Sequence, residues 1–222
     1  MTPTPAQERA LGKLFEGNHI DREKIISLQR PEMQEPMRKL FKAKGNADKL
    51  FAIMFADLGH ASGEMKANSG DQFWRRTAIR TLAATLDGII FCLKETTLAT
   101  GSFAGYKFLD GEVEFLSETM QKAGKKPKFL PFRENLKETF KLFSKAHHTT
   151  CGTDFQQDGF AALCETYELR NRLVHPKSAM TFYVSDTEKS RAGEAIKWLN
   201  TEIQELLGSC SRSIERNSSQ LQ

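Results

Sequence analysis

The strongest constraint in this chain is an apolar pattern at helical spacing that returns four times between residues 71 and 207. At about 100° per residue, Ala78, Ile79, Leu82, Leu86, Ile89, Ile90 and Leu93 fall on one arc. They predict a long helix over roughly 72–98, with Asp71 as its N-cap and Gly101 ending the helical region. Leu136, Phe140 and Phe143 form the stripe of a second helix, about 132–147. A third starts near Asp158 and stops at Pro176. The fourth begins at Ser185, with Glu188 three residues on as a capping box. Its stripe is Ala192, Ala195, Leu199, Ile203 and Leu206, and Gly208 closes it. Each helix has one apolar face to bury, and four such faces satisfy one another in a bundle, so the expected fold is all-α with a four-helix core.

The flanks of this pattern are less regular. Residues 1–66 read as a charged helical extension in short pieces, punctuated by Pro31, Pro36 and Gly45-Asn46. One piece is amphipathic through Leu50, Phe51, Met54, Phe55 and Leu58. Lys66 to Gly70 is expected as a loop. Between the first two bundle helices, Asp110-Gly111 separates Tyr106-Lys107-Phe108-Leu109 from Val113-Glu114-Phe115, the pattern of one short β-hairpin with a type I′ turn. Gly124-Lys125-Lys126-Pro127 reads as another loop. The expected organisation is an extension over 1–66, a helical bundle over 67–208 and a disordered polar tail over 209–222.

Composition narrows the function classes. A net charge of +4 permits contact with a phosphate backbone, and equally describes a solvated surface with a slight Lys surplus. The cysteines Cys92, Cys151, Cys164 and Cys210 match no zinc spacing, and His147 and His148 are adjacent rather than one turn apart, so no metal is expected. Neither a G-x-x-x-x-G-K-[ST] nor a G-x-G-x-x-G stretch occurs, so no nucleotide cofactor is implied by a phosphate loop. The first residues lack the basic and apolar regions of a signal peptide, and no apolar run approaches the ~18 residues of a membrane span. A cytoplasmic protein with no membrane partner is the expectation.

The chemistry-bearing segment is Arg170-Asn171-Arg172-Leu173-Val174-His175. On the helical wheel Arg170 falls inside the apolar arc of Ala162, Leu163, Thr166, Tyr167, Leu169, Leu173 and Val174. A guanidinium there keeps its proton and requires an anion or several carbonyls. Asn171 and His175 lie four apart at the border of the arc. Pro176 places His175 at the helix end, where the helix dipole favours a cation and the imidazole is suited to acid or base work. From the wheel alone, a salt-bridged Arg170 with Asn171 and His175 capping the helix remains open beside a catalytic reading.

This segment resembles the R-x-x-x-x-H motif of the HEPN superfamily, including the polar residue after the Arg, and it ends a helix of an expected four-helix bundle. The stretch from Lys128-Phe129-Leu130-Pro131 to His175-Pro176-Lys177-Ser178 also resembles a group of bacterial proteins. The likeness spans roughly residues 71–207. It implies a HEPN-like core and a metal-independent endoribonuclease that works as a homodimer, with two motifs meeting across the interface. His175 would be the acid/base residue, Arg170 the phosphate stabiliser and Asn171 an orienting donor. A toxin or phage-defence role would bring an antitoxin or regulatory partner. Lys177 stands where some HEPN toxins carry the Tyr that an antitoxin modifies, so that mode of control is not expected.

A second constellation lies on the first bundle helix. Arg76, Arg80, Ala83 and Asp87 share a stripe away from the main apolar arc. Arg76 and Arg80, with Arg172 and Lys177, are candidate phosphate contacts on RNA. Asp87 is the candidate partner of Arg170. An ordinary charged surface face explains the same stripe. Arg75 is expected to snorkel from the apolar arc. Three readings stand: a ribonuclease, a non-catalytic HEPN-like dimerisation module that binds nucleotide or RNA, and an unrelated helical interaction protein.

Overall fold

The computed structural model describes residues 22–27, 29–117 and 130–219, and all their regular elements are helical. In chain order these are α1 (Arg22–Ser27), α2 (Pro31–Ala67), α3 (Gln72–Ala104), α4 (Asp110–Ser117), α5 (Phe132–Ala146), α6 (Asp158–Val174), a 3-10 turn (Ala179–Phe182) and α7 (Asp186–Ser219). The expected N-terminal pieces before residue 22 and the loop at 124–127 lie outside the described residues, as do Lys128 and Phe129.

Helix α3 is the central element. Its predicted stripe, from Ala78 to Leu93, is buried throughout. Asp71 caps its start by accepting from the Phe73 amide at 2.7 Å. The stripe meets Leu136, Phe140 and Phe143 of α5, Phe160 and Leu163 of α6, and Leu199, Ile203 and Leu206 of α7 in one core. A second cluster, Ile79, Leu173, Val184 and Ala192 with Leu169, joins α3 to the end of α6 and the start of α7. The Ser185–Glu188 capping box forms: the Glu188 carboxylate accepts from the Ser185 amide at 2.9 Å, and the Glu188 amide donates to Ser185 Oγ at 3.2 Å.

Four expectations are corrected. First, residues 31–67, expected as several short pieces, are one helix, α2, of 37 residues. Pro31 opens it, and Pro36 falls in the second turn, where only one intrahelical bond is lost. Packing along α3, where the thioether of Met54 lies over Gly88, outweighs the roughly 1 kcal/mol cost of an interior Gly45. Second, Asp110-Gly111 opens helix α4 instead of turning a hairpin, and no strand occurs among the described residues. Glu112 reaches back to accept from the Leu109 amide at 2.9 Å, and Leu116 is buried. With no neighbouring strand to pair with, the capped helix wins.

Third, α3 runs past Gly101 to Ala104 and ends at Gly105, whose φ of 66° is the left-handed cap. Gly101 serves packing, because a Cβ there would collide with the Phe108 ring. Fourth, the polar tail is helical to Ser219. Gly208 makes room for the Arg212 guanidinium, and Cys210 and Ser213 are still buried beyond it. No described helix is long and apolar enough to cross a membrane.

Phe140 is wholly buried where α3, α5 and α6 meet, whereas Phe91 is 51% exposed. Phe140→Ala is expected to cost about 3–5 kcal/mol in urea denaturation. Phe91→Ala is expected to change stability by less than about 0.5 kcal/mol.

Candidate functional site

A helix that ends near the surface leaves its last carbonyls without intrahelical donors. At the end of α6 one of them, that of Leu173, is met by a side chain of α3, and the carbonyls of Phe182 and Val184 in the following segment are met by others. Arg80 Nη2 donates to the Leu173 carbonyl at 2.8 Å. Arg76 Nη1 donates to the Phe182 carbonyl at 3.5 Å and its guanidinium lies 5.9 Å from the Phe182 ring centroid. Gln72 pairs with the backbone of Val184 in both senses, donating at 3.0 Å and accepting at 2.8 Å. Arg75 is buried rather than snorkelling, which corrects that expectation. It donates to the carbonyls of Ser69 and Val184 and to the exposed Asp186 carboxylate at 2.6 Å, so its buried guanidinium is fully partnered.

This lattice fixes the segment that carries the motif. His175 is the C-cap of α6, and its amide donates to the Asn171 carbonyl at 3.0 Å. Its imidazole is exposed and has no partner among the described residues. Asn171 is also exposed, and its Oδ1 accepts from Arg170 Nη1 at 3.2 Å. Arg170 keeps a third of its side chain exposed, so it sits at the edge of the core rather than within the apolar arc. Its Nη2 is 3.7 Å from Asp87 on α3, a loose ion pair in partly solvated surroundings. Most of the N–H donors of Arg170 therefore remain for another anion.

Asp87 is shared. Its Oδ1 accepts a hydrogen bond from Tyr167 Oη at 2.7 Å, while Oδ2 faces Arg170. The Tyr167 ring stacks on Phe132 with centroids 3.9 Å apart, and Arg170 lies 5.9 Å from the Tyr167 centroid. Burial, then the adjacent Asp87 carboxylate, pushes the Tyr167 hydroxyl up to about 12. Tyr167 and Phe132 were not among the expected site residues. The signal was present, since Tyr167 precedes Arg170 by three residues on the same face and a phenol on an apolar arc needs a partner.

The proposed phosphate contacts divide. Arg76 and Arg80 are engaged with carbonyls of the α6 end and its following segment. Arg172 donates to Glu188 at 2.8 Å and to the Tyr183 carbonyl at 3.1 Å. Lys177 alone of the four is exposed without a partner among the described residues. Among the described residues, no three His, Cys, Asp or Glu side chains converge as a metal site. No family model, curated protein or solved structure matches this chain.

The raised Tyr167 hydroxyl is neutral when folded, so its contribution to stability is present below pH about 10 and is lost as pH rises through about 12. Ultraviolet titration is expected to show one late tyrosine, absent in Tyr167→Phe. In Asp87→Asn that transition is expected to move to lower pH.

Proposed function

We propose that the chain is a metal-independent endoribonuclease of the HEPN type, a toxin or phage-defence effector whose active site is completed by a second copy. One observation carries the reading. Arg170, Asn171 and His175 sit together at the open end of α6, held by contacts to α3 that leave the imidazole and most of the guanidinium donors uncommitted.

The chemistry follows from those groups. Attack of a 2′-hydroxyl on the adjacent phosphorus needs a base for the hydroxyl proton and an acid for the departing 5′-oxygen. It also needs positive charge on the phosphorane. One chain holds one His175 and one Arg170, so a homodimer would supply both proton-transfer groups and a pair of guanidinium groups. His175 of each copy takes one proton-transfer role, Arg170 stabilises the phosphorane, and Asn171 orients the Arg170 guanidinium. The products are a 2′,3′-cyclic phosphate and a 5′-hydroxyl. Exposed Val174 (44%), Met180 (77%) and Tyr183 (53%) border the motif, and a second copy would cover them. Lys177 is the basic side chain best placed to meet the RNA backbone. An antitoxin or regulatory protein would restrain such an activity in the cytoplasm.

A second reading rests on the Asp87–Arg170 pair, which partly neutralises the guanidinium. In it the chain is a non-catalytic HEPN-like dimerisation module that binds nucleotide or RNA without turnover.

RNA cleavage by purified protein separates the two. Arg170→Ala and His175→Ala are each expected to lower cleavage at least ~100-fold while circular dichroism and melting remain those of the wild type. Activity is expected to persist in EDTA. RNA binding with no cleavage by the wild-type protein would favour the module instead.

A further inference from the structure

The segment between α5 and α6 is a strap laid along α7. His148, at φ 52°, turns the chain out of α5. From there burial alternates: Thr149, Cys151, Thr153 and Phe155 are partly buried, while His148, Thr150, Gly152 and Asp154 are exposed. That period of two marks an extended chain with one face down. The face beneath is a single stripe of α7, Trp198, Glu202, Leu206, Cys210 and Ser213, every member buried.

The register of strap on stripe is set at both ends. The Phe155 ring lies 6.2 Å from Trp198, and Ser213 Oγ donates to the His148 carbonyl at 3.4 Å. Thr153 faces Glu202 between them. An extended chain from 148 to 155 spans roughly 23 Å, and α7 rises about 22 Å from 198 to 213, so the two run in step and antiparallel. Cys151 therefore lies over the stripe beside Leu206, about one helical turn from Cys210. Its neighbours Thr150 and Gly152 line a cavity of about 620 Å³ together with Leu206 and Ser209. Cys210 is 4% exposed, and Cys151 is the more accessible member of the pair. Burial holds the Cys210 thiol up at about 11, and the nearby Cys151 acts in the same direction.

We propose that Cys151 and Cys210 are a redox modification site, oxidised by a peroxide to an intrachain disulfide that ties the strap to α7. Cys151, reached first, gives up its proton and attacks a peroxide oxygen; the S–O bond forms as the O–O bond breaks, the leaving hydroxide takes that proton as water, and Cys151 is left as a sulfenic acid. Cys210 gives up its proton and attacks the sulfenic sulfur. The S–O bond breaks, the hydroxyl leaves with that proton as a second water, and the disulfide remains. Two thiols and one hydrogen peroxide thus give one disulfide and two waters. A thiol reductant reverses it. Closure draws the strap along the stripe until the two Cα atoms reach disulfide range, about 4.4–6.8 Å. Cys92 on α3 and Cys164 on α6 are buried under other helices and stay reduced.

The test is peroxide treatment of the full chain, an acid quench, alkylation under denaturing conditions and peptide mapping. The alkylatable thiols are expected to fall from four to two, with the peptides of Cys151 and Cys210 joined and reduction restoring all four. Cys151→Ser is expected to leave Cys210 alkylatable. Cys210→Ser is expected to leave Cys151 as a sulfenic acid that dimedone captures. The wild-type map needs no variant to fold. Four free thiols after treatment, a link involving Cys92 or Cys164, or links only between chains would overturn the proposal.

Discussion

The Leu173 carbonyl at the end of α6, and those of Phe182 and Val184 just beyond it, need donors, and α3 provides them. Arg80 on Leu173, Arg76 on Phe182, and Gln72 and Arg75 on Val184 together hold the α6 end and the segment that follows it against the N-terminal half of α3. Without those bonds the last turn of α6 would fray, as helix ends do. His175 and Asn171 would then have no fixed relation to Arg170. The same bonds explain why a stripe of arginines on α3 is not simply a phosphate-binding face: its cations are consumed in building the scaffold. What remains for the proposed chemistry is the short run Arg170, Asn171, His175 and the exposed Lys177.

Arg170 illustrates how a partly exposed pair differs from a buried one. At 3.7 Å from a carboxylate that already accepts a 2.7 Å bond from Tyr167, it is held in place more than neutralised. Tyr167, stacked on Phe132, anchors Asp87, and Asp87 aims the guanidinium. Under the proposed function Tyr167 and Asp87 would be positioning residues, and neither would need to touch a substrate.

The long apolar stripes of α3, α5, α6 and α7 were legible in the sequence because one face of each is buried by its neighbours, which leaves a 3.6-residue period. Element ends were less legible. Gly101 and Gly208 look like stops, yet each accommodates a side chain, Phe108 or Arg212, within a continuing helix. Asp110-Gly111 reads as a hairpin turn only if a strand waits to pair with it; here Glu112 caps a helix instead. At the site, the motif and the Asp87 partner were visible from spacing. That Arg76, Arg80 and Arg172 serve carbonyls and Glu188 was not, because a wheel shows which face a side chain shares and not which loop carbonyl lies across from it. Tyr167 was assigned to the core since its ring is apolar; only its hydroxyl bond to Asp87 places it in the site.

Under the proposed function the α6 terminus carries out 2′-hydroxyl attack on RNA. The most direct measurement is the chemistry of the ends left on a defined RNA after incubation with purified wild-type protein in EDTA. A 2′,3′-cyclic phosphate is expected on the upstream fragment and a 5′-hydroxyl on the downstream one. Intact RNA, or fragments ending in 3′-hydroxyl and 5′-phosphate, would contradict it.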